Sequence, residues 1–216
     1  MRPELLIAVL GTGTEVGKTW AGARLIASFR ERGHTVAARK PVQSFDPDDA
    51  APSDAQVLAA ATGETPEQVC PSHRCLPLPM APPMAATALD LPPFTVAELC
   101  DEIDWPDGTE IGLVETVGGP CSPIAEDGDS VDLAVSLWPD VVVLVADAGL
   151  GTINAVELCR RVIPIRPVIV LVNRYDAGDS LHRQNVVWLA RDGGTTVVSD
   201  TASAASACLA SSSLSS

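Results

Sequence analysis

Three observations on this 216-residue chain predict an α/β fold with a mostly parallel sheet and helices on both faces. Short apolar runs alternate with longer helix-like stretches along the chain. Aromatic residues supply only 4%, so the interior must be built mainly from Ala, Val, Leu and Ile. A glycine-rich segment joins the first apolar run to the first helical stretch. Strands covered on both sides are apolar throughout, and parallel neighbours need a crossover of helix length between them.

Taken in order, the expected strands are Leu5–Leu10, Thr35–Ala38, Gly112–Val114, Val141–Ala146, Val168–Val172 and Thr195–Val198. The expected crossover helices are Thr19–Arg32, Asp54–Ala61, Ser130–Leu137, Asn154–Val162 and Leu181–Ala190. Between Cys70 and Pro93 the chain is dense in proline, including Leu76-Pro77-Leu78-Pro79-Met80-Ala81-Pro82-Pro83. Proline removes a backbone donor and blocks the preceding turn, so this stretch is expected to be an ordered loop or lid, with no regular helix and no central strand. Residues 1–200 read as a single domain. From Thr201 onward Ala and Ser dominate, and 201–216 read as a disordered tail.

With 46% hydrophobic residues the chain can bury a sizeable core. A formal net charge of -14 argues against broad nucleic-acid binding, which needs an extended basic surface. Gly11 ends the first apolar run before a signal peptide or membrane span is complete, so a cytoplasmic protein is expected, with no membrane partner. The six cysteines are scattered, as reduced thiols are. Cys70-Pro71-Ser72-His73-Arg74-Cys75 lacks the second ligand pair of a zinc site.

The segment Gly11-Thr12-Gly13-Thr14-Glu15-Val16-Gly17-Lys18-Thr19 lies between strand and helix, as a phosphate-binding P-loop requires. Its glycines let backbone N–H groups face a phosphate, and the helix N-terminus adds a favourable partial charge. Lys18 is expected to reach the β and γ phosphates of ATP, and the Thr19 hydroxyl to bind magnesium. Thr12 stands where Gly-x4-Gly-Lys-Thr places its first glycine, and Gly11 comes one residue early. Magnesium prefers oxygen ligands, and two acids answer that demand. Glu115 ends a buried strand at the carboxyl edge, where open parallel sheets place their ligands. Asp54, after Ser53, reads either as a ligand or as a first-turn acid or cap. Lys40 reads either as a second cation facing the transferred phosphate or as a solvated charge at a strand end.

Together with Lys40-Pro41-Val42-Gln43-Ser44, Ser53-Asp54-Ala55, Glu115-Thr116-Val117-Gly118-Gly119 and Gly149-Leu150-Gly151-Thr152-Ile153-Asn154, this segment resembles dethiobiotin synthetase over residues 5 to about 175. The resemblance implies magnesium- and ATP-dependent closure of the ureido ring of dethiobiotin from 7,8-diaminopelargonic acid and carbon dioxide. A substrate carbamate would attack the γ phosphate, and the second amine would close the ring on the resulting mixed anhydride. It implies catalytic roles for Lys40, Lys18, Thr14 and Glu15, and a metal held by Thr19, Asp54 and Glu115. The nucleotide would meet Gly13, Thr14, Glu15, Val16, Gly17, Lys18, Thr19, Trp20, Asp54, Glu115, Thr116, Val117, Gly118, Asn173 and Arg174. Ser44 would hold the diamine, and Gly151, Thr152, Ile153 and Asn154 would receive its carboxylate across a homodimer interface.

This sequence departs from the family pattern at Phe45, where a glycine is usual, and at Thr116-Val117, where Gly-Ala is common. Beyond Asn173 it lacks a proline-containing adenine loop. Because the nucleophile would be the substrate's own carbamate, no activated Ser, Cys or His is needed, and His34, His73 and His182 read as structural or surface residues. The same cradle would serve a P-loop ligase with another carboxylate acceptor, or a partitioning-type switch ATPase. Switch ATPases of that type commonly carry an extra early lysine, where this chain has Thr12, Thr14 and Glu15. Alanine at Lys18 or Lys40 is expected to abolish turnover and leave the fold intact.

Overall fold

The computed structural model describes residues 2–165, 167–191 and 193–212. Seven consecutive buried residues form the first strand, β1 (Leu5–Gly11), and the loop over residues 12–17 leads into α1 (Lys18–Arg30). There follow β2 (Val36–Arg39), β3 (Gln43–Ser44), α2 (Asp54–Thr62), α3 (Pro66–Val69), β4 (Cys75–Leu76), α4 (Pro82–Ala88) and α5 (Val96–Asp101). The second half comprises β5 (Ile111–Glu115), β6 (Pro123–Ala125), β7 (Gly128–Asp129), α6 (Ser130–Leu137), β8 (Val141–Asp147), α7 (Thr152–Val162), β9 (Val168–Asn173), α8 (Ser180–Ala190), β10 (Thr196–Val198) and α9 (Thr201–Ser212).

Six strands make one parallel sheet in the order β10-β9-β8-β1-β5-β2. Alternate strand residues feed two cores, as the pleat dictates. Ile7, Leu113, Val143 and Leu171 meet α1, α2 and α9 on one face, while Leu10, Leu144 and Val170 meet α6, α7 and α8 on the other. After β1 the chain builds β2 and β5 to one side, then β8, β9 and β10 to the other. The carboxyl end of β1 is therefore the point of reversal, where such sheets open a crevice. No helix of the described residues is long and apolar enough to cross a membrane.

Two expectations are corrected. The proline-rich stretch does contain a helix, α4, because Pro82 and Pro83 occupy its first turn, where a missing N–H costs nothing. Behind them Ala85 and Ala86 are buried against Val42, Leu76 and Phe94. The Ala/Ser-rich segment is likewise not a disordered tail through Ser212: it forms α9, whose Ala204, Ala205 and Cys208 are buried beside Leu25, Ile26 and Phe29 of α1. Small side chains at this spacing form an apolar stripe that permits close helix packing, and composition alone conceals it. Residues 213–216 of the expected tail lie outside the described residues.

Candidate functional site

The loop between β1 and α1 closes on itself over Gly11. A Cβ there would lie 2.8 Å from Val16 Cγ2 and 2.9 Å from the Gly13 carbonyl oxygen. The close approach thus falls at position 11, which accounts for a glycine one residue earlier than the common spacing. At the other end Gly17 adopts φ +90, and a side chain there would strike Asn173 Nδ2 at 2.2 Å. Asn173, at the end of β9, donates to the Val16 carbonyl at 2.9 Å. Arg174 donates to the Glu15 carbonyl at 2.7 Å and pairs with Asp147 at 2.9 Å. The ends of β8 and β9 therefore hold the loop from one side.

Lys18 lies folded along this loop, donating to the carbonyls of Gly13 at 3.1 Å and Gly118 at 2.9 Å. Burial, followed by the nearby positive charge of Lys40, lowers its pKa to about 8. It is a cation short of counter-charge, the condition under which an anionic ligand is bound most favourably.

Beside it sits a cluster of opposite sign. The Thr19 hydroxyl lies 2.6 Å from Asp54 Oδ1 and 2.9 Å from Glu115 Oε1. The Lys40 ammonium lies 2.7 Å from Asp54 Oδ2 and 2.6 Å from Glu115 Oε1, and donates to the Thr116 carbonyl at 3.1 Å. Sheet register brings these groups together: β2 pairs with β5 through Arg39 and Val114, so the next residues, Lys40 and Glu115, emerge side by side. Asp54 arrives from α2. Ser53 caps that helix in a reciprocal box with Gln56, and Gln43 Oε1 accepts from Ala55 N at 3.1 Å. Ser53 is thus the cap, which leaves Asp54 free to reach the cluster. Lys40 is 1% exposed and is no solvated strand-end charge.

Burial opposes the charge on Lys40, yet Glu115 and Asp54 hold its ammonium above the ordinary lysine range. Burial likewise works against Asp54, but Lys40 and the Thr19 hydroxyl keep its carboxyl below the ordinary value. At fully buried Glu115 burial wins, raising the carboxyl against the pull of Lys40. A hydroxyl and two carboxylates converge here as hard oxygen donors, and Glu115 Oε2 is buried with no hydrogen-bond partner among the described residues. That donor set fits a magnesium ion that keeps waters and takes phosphate oxygens as its remaining ligands.

A cavity of about 820 Å³ opens over both clusters. Its walls include Thr14, Glu15, Gly17, Lys18, Thr19, Lys40, Ser44, Asp54, Val117, Gly118 and Arg174, with Pro79 to Pro82 of the proline-rich stretch along one side. The Ser44 hydroxyl is buried with no partner among the described residues. A neighbouring cavity of about 810 Å³ shares Gln43, Ser44 and Asp54, and includes Phe45, Cys70 and Cys75. A third, of about 400 Å³, lies beyond Gly17 and is lined by Trp20, Asn173, Arg174, Tyr175, Ser199, Asp200 and Thr201.

Several sequence-predicted residues stand apart from these walls. Thr116 turns its side chain to the Val9 carbonyl, at 3.4 Å, and offers the site only its own carbonyl. Val16 contributes its carbonyl to the hold by Asn173, and Gly13 its carbonyl to Lys18. Gly151, Thr152, Ile153 and Asn154 begin α7 and line none of the three cavities; the Thr152 hydroxyl is buried with no partner among the described residues. Conversely, Gln43, Ser122 and the Ser199–Thr201 turn were not singled out from sequence. The signal for the turn was its place after the carboxyl end of β10.

A sequence profile of the AAA domain family matches residues 6–199. The chain is 38% identical over 156 residues to the ATP-dependent dethiobiotin synthetase of Corynebacterium efficiens, covering 71% of this chain and 67% of that one. It is 35% identical over 185 residues to the dethiobiotin synthetase of Haloferax mediterranei, covering 82% and 75%. The match to the Caulobacter sp. enzyme is 38% over 153 residues, covering 68% of this chain and 65% of that relative. Among solved structures, a plasmid partition protein from Borrelia burgdorferi superposes with a TM-score of 0.56 over 96% of this chain and 97% of its own, at 11% identity. That likeness is one of fold.

Proposed function

Because the chain belongs to the dethiobiotin synthetase family of ATP-dependent ligases, built on an AAA-type P-loop domain, we propose that it closes the ureido ring of dethiobiotin from 7,8-diaminopelargonic acid, carbon dioxide and ATP. One observation carries the proposal: the P-loop lysine Lys18, the buried Lys40 and the Ser44 hydroxyl, which has no partner among the described residues, all border a single cavity.

One substrate amine captures carbon dioxide as a carbamate, with Thr14 and Glu15 beside it. The carbamate oxygen attacks the γ phosphorus and ADP departs, leaving a carbamic-phosphoric anhydride. The second amine then attacks the carbonyl carbon, closing the ring and releasing phosphate. Lys18 gives up the carbonyls of Gly13 and Gly118 for the β and γ phosphates, a stronger charge-assisted pairing. Lys40 faces the transferring phosphoryl group and offsets the charge that develops there, so catalysis rests on position and electrostatics. Magnesium, when bound, supplies charge neutralisation at the phosphates, and Thr19, Asp54 and Glu115 are the residues that would hold it. Trp20, Asn173 and Arg174 border the third cavity, which we assign to the base.

Ser44 positions the diamine. Its carboxylate would be received at the start of α7, where Gly151 to Asn154 line none of the three cavities, an arrangement that supports a homodimer as the working unit. Leu150, Leu158 and Val162 are exposed on and just before this helix and suit such an interface. The enzyme would act in the cytoplasm. Incubating the protein with diamine, bicarbonate, magnesium and each nucleotide in turn, with product identification by mass, tests the reading. Dethiobiotin formed with ATP is expected. Phosphate release that is indifferent to the diamine would defeat it.

A further inference from the structure

Two thiols beside the site play no part in ring closure. Cys70 follows α3 and Cys75 opens β4, and between them Ser72–Arg74 forms a single 3-10 turn that folds the chain back. Their sulfurs lie 3.5 Å apart. Both border the second cavity; Cys70 is buried and Cys75 is half-buried. Gln43 Nε2 donates to Cys75 Sγ at 3.2 Å, while Gln43 Oε1 accepts from Ala55 N, the amide beside Asp54. Gln43 also pairs with Cys75 in the small parallel sheet, as Ser44 does with Leu76. One side chain thus ties the Cys75 sulfur to the start of α2.

We propose that Cys70 and Cys75 are a thiol-pair modification site that peroxide closes to a reversible disulfide, releasing the hold of Gln43 on the wall shared by Ser44 and Asp54. Contact with Cys70, against burial and with help from the Gln43 amide, brings the Cys75 thiol down to about 6; the same contact and burial push Cys70 far up. Cys75 is the attacking thiolate and Cys70 the protonated resolving thiol. The Cys75 thiolate attacks one oxygen of hydrogen peroxide, breaking the O–O bond to give a sulfenic acid and hydroxide, which takes a proton to become water. Cys70 sulfur then displaces the hydroxyl from Cys75 and loses its proton, forming the S–S bond and a second water. Two thiols are oxidised by two electrons, and one peroxide is reduced to two waters. The sulfurs must close from 3.5 Å to about 2.0 Å, which is within reach of side-chain rotation. A disulfide sulfur is a weaker acceptor than a thiolate, so Gln43 loses its anchor.

The test uses the full chain treated with hydrogen peroxide, unfolded, blocked with N-ethylmaleimide and digested with trypsin without reductant. Cleavage after Arg74 places Cys70 and Cys75 on different peptides, so only a disulfide keeps them joined. The joined pair should appear, vanish with dithiothreitol, and be absent from both Cys70→Ser and Cys75→Ser, the second control being needed because the peptide after Arg74 also carries Cys100, Cys121 and Cys159. Hydrogen exchange at the Ala55 amide should quicken roughly fivefold on oxidation, the worth of one hydrogen bond, and peroxide should leave it unchanged in Cys75→Ser. Absence of the joined peptides overturns the site. Joined peptides with unaltered Ala55 exchange overturn its coupling to the wall. Neither readout requires turnover, so both stand whether or not the protein makes dethiobiotin.

Discussion

Replacing Lys40 with methionine keeps the length of the side chain and removes its charge. Lys40 and Glu115 have side chains 2% and 0% exposed and lie 2.6 Å apart, so the change strands a buried carboxylate. Losing one partner of such a pair costs roughly 3–5 kcal/mol. The Asp54 side chain is 42% exposed, so water can replace Lys40 there and the lower end of the range applies, about 3 kcal/mol. For a domain of this size that corresponds to a fall in Tm of roughly 6–12 °C. The fold is still expected to form without the Lys40 charge, but at this cost in stability, which the sequence could not show because it does not reveal that Glu115 is wholly buried.

The sign with pH is fixed by the raised carboxyl of Glu115. An acid whose folded pKa exceeds its unfolded value destabilises the native state above the folded pKa, and the penalty disappears below the unfolded one. Without Lys40 the carboxyl rises further, so the deficit should be largest near pH 7 and shrink toward pH 4. Asp54, whose pKa is lowered, contributes stability to the parent that is retained across this window and lost only as pH falls below the ordinary aspartate value. Urea unfolding followed by circular dichroism would measure both variants, and Lys40→Met/Glu115→Gln should recover more than half of the loss. A single variant within about 1 kcal/mol of the parent at neutral pH, or a double variant no better than the single, would refute the reasoning.

Lys18→Met should lower turnover by roughly 100-fold or more, since a positioned charge on the transferring phosphates is lost, and a steady-state assay with diamine and ATP reads it. The lowered Lys18 pKa, about 8 in the ligand-free protein, means the unfolded chain holds more protons between there and the ordinary lysine value; the parent should therefore gain stability relative to Lys18→Met as pH rises through that window, by thermal unfolding. Ser53→Ala removes the cap of α2 and should cost about 1 kcal/mol, measured by Tm, while raising KM because Asp54 loses its fixed approach. Gly17→Ala forces a Cβ to within 2.2 Å of Asn173 Nδ2 at φ +90; nucleotide binding, followed calorimetrically, should be abolished, and unchanged affinity would count against the tight closure of the loop.

The central sheet was legible because its strands are buried on both faces and therefore apolar at nearly every position, as in Leu5–Leu10 and Val141–Ala146. Glu115 was legible for a related reason: a carboxylate ending such a run stands out. Asp54 and Lys40 could each be read two ways, because what decides them is register between β2 and β5 and the direction in which α2 is presented, neither of which is local. Gly11 looked displaced until the loop was seen to fold over it. Prolines at a helix start and an alanine stripe in a serine-rich stretch misled for one common reason: composition reports what a segment contains, whereas position within a turn decides what it can do. The Ser199–Thr201 turn carries no motif and is recruited to the third cavity only by the place of β10 at the sheet edge.

The seam between α1 and α9 joins segments about as far apart in sequence as this chain allows. During synthesis, residues 18 to 30 leave the ribosome long before residues 204 to 208 exist to shield them. Until then Leu25, Ile26 and Phe29 lack the cover that α9 gives them, and the phosphate loop at the head of that helix lacks its final support.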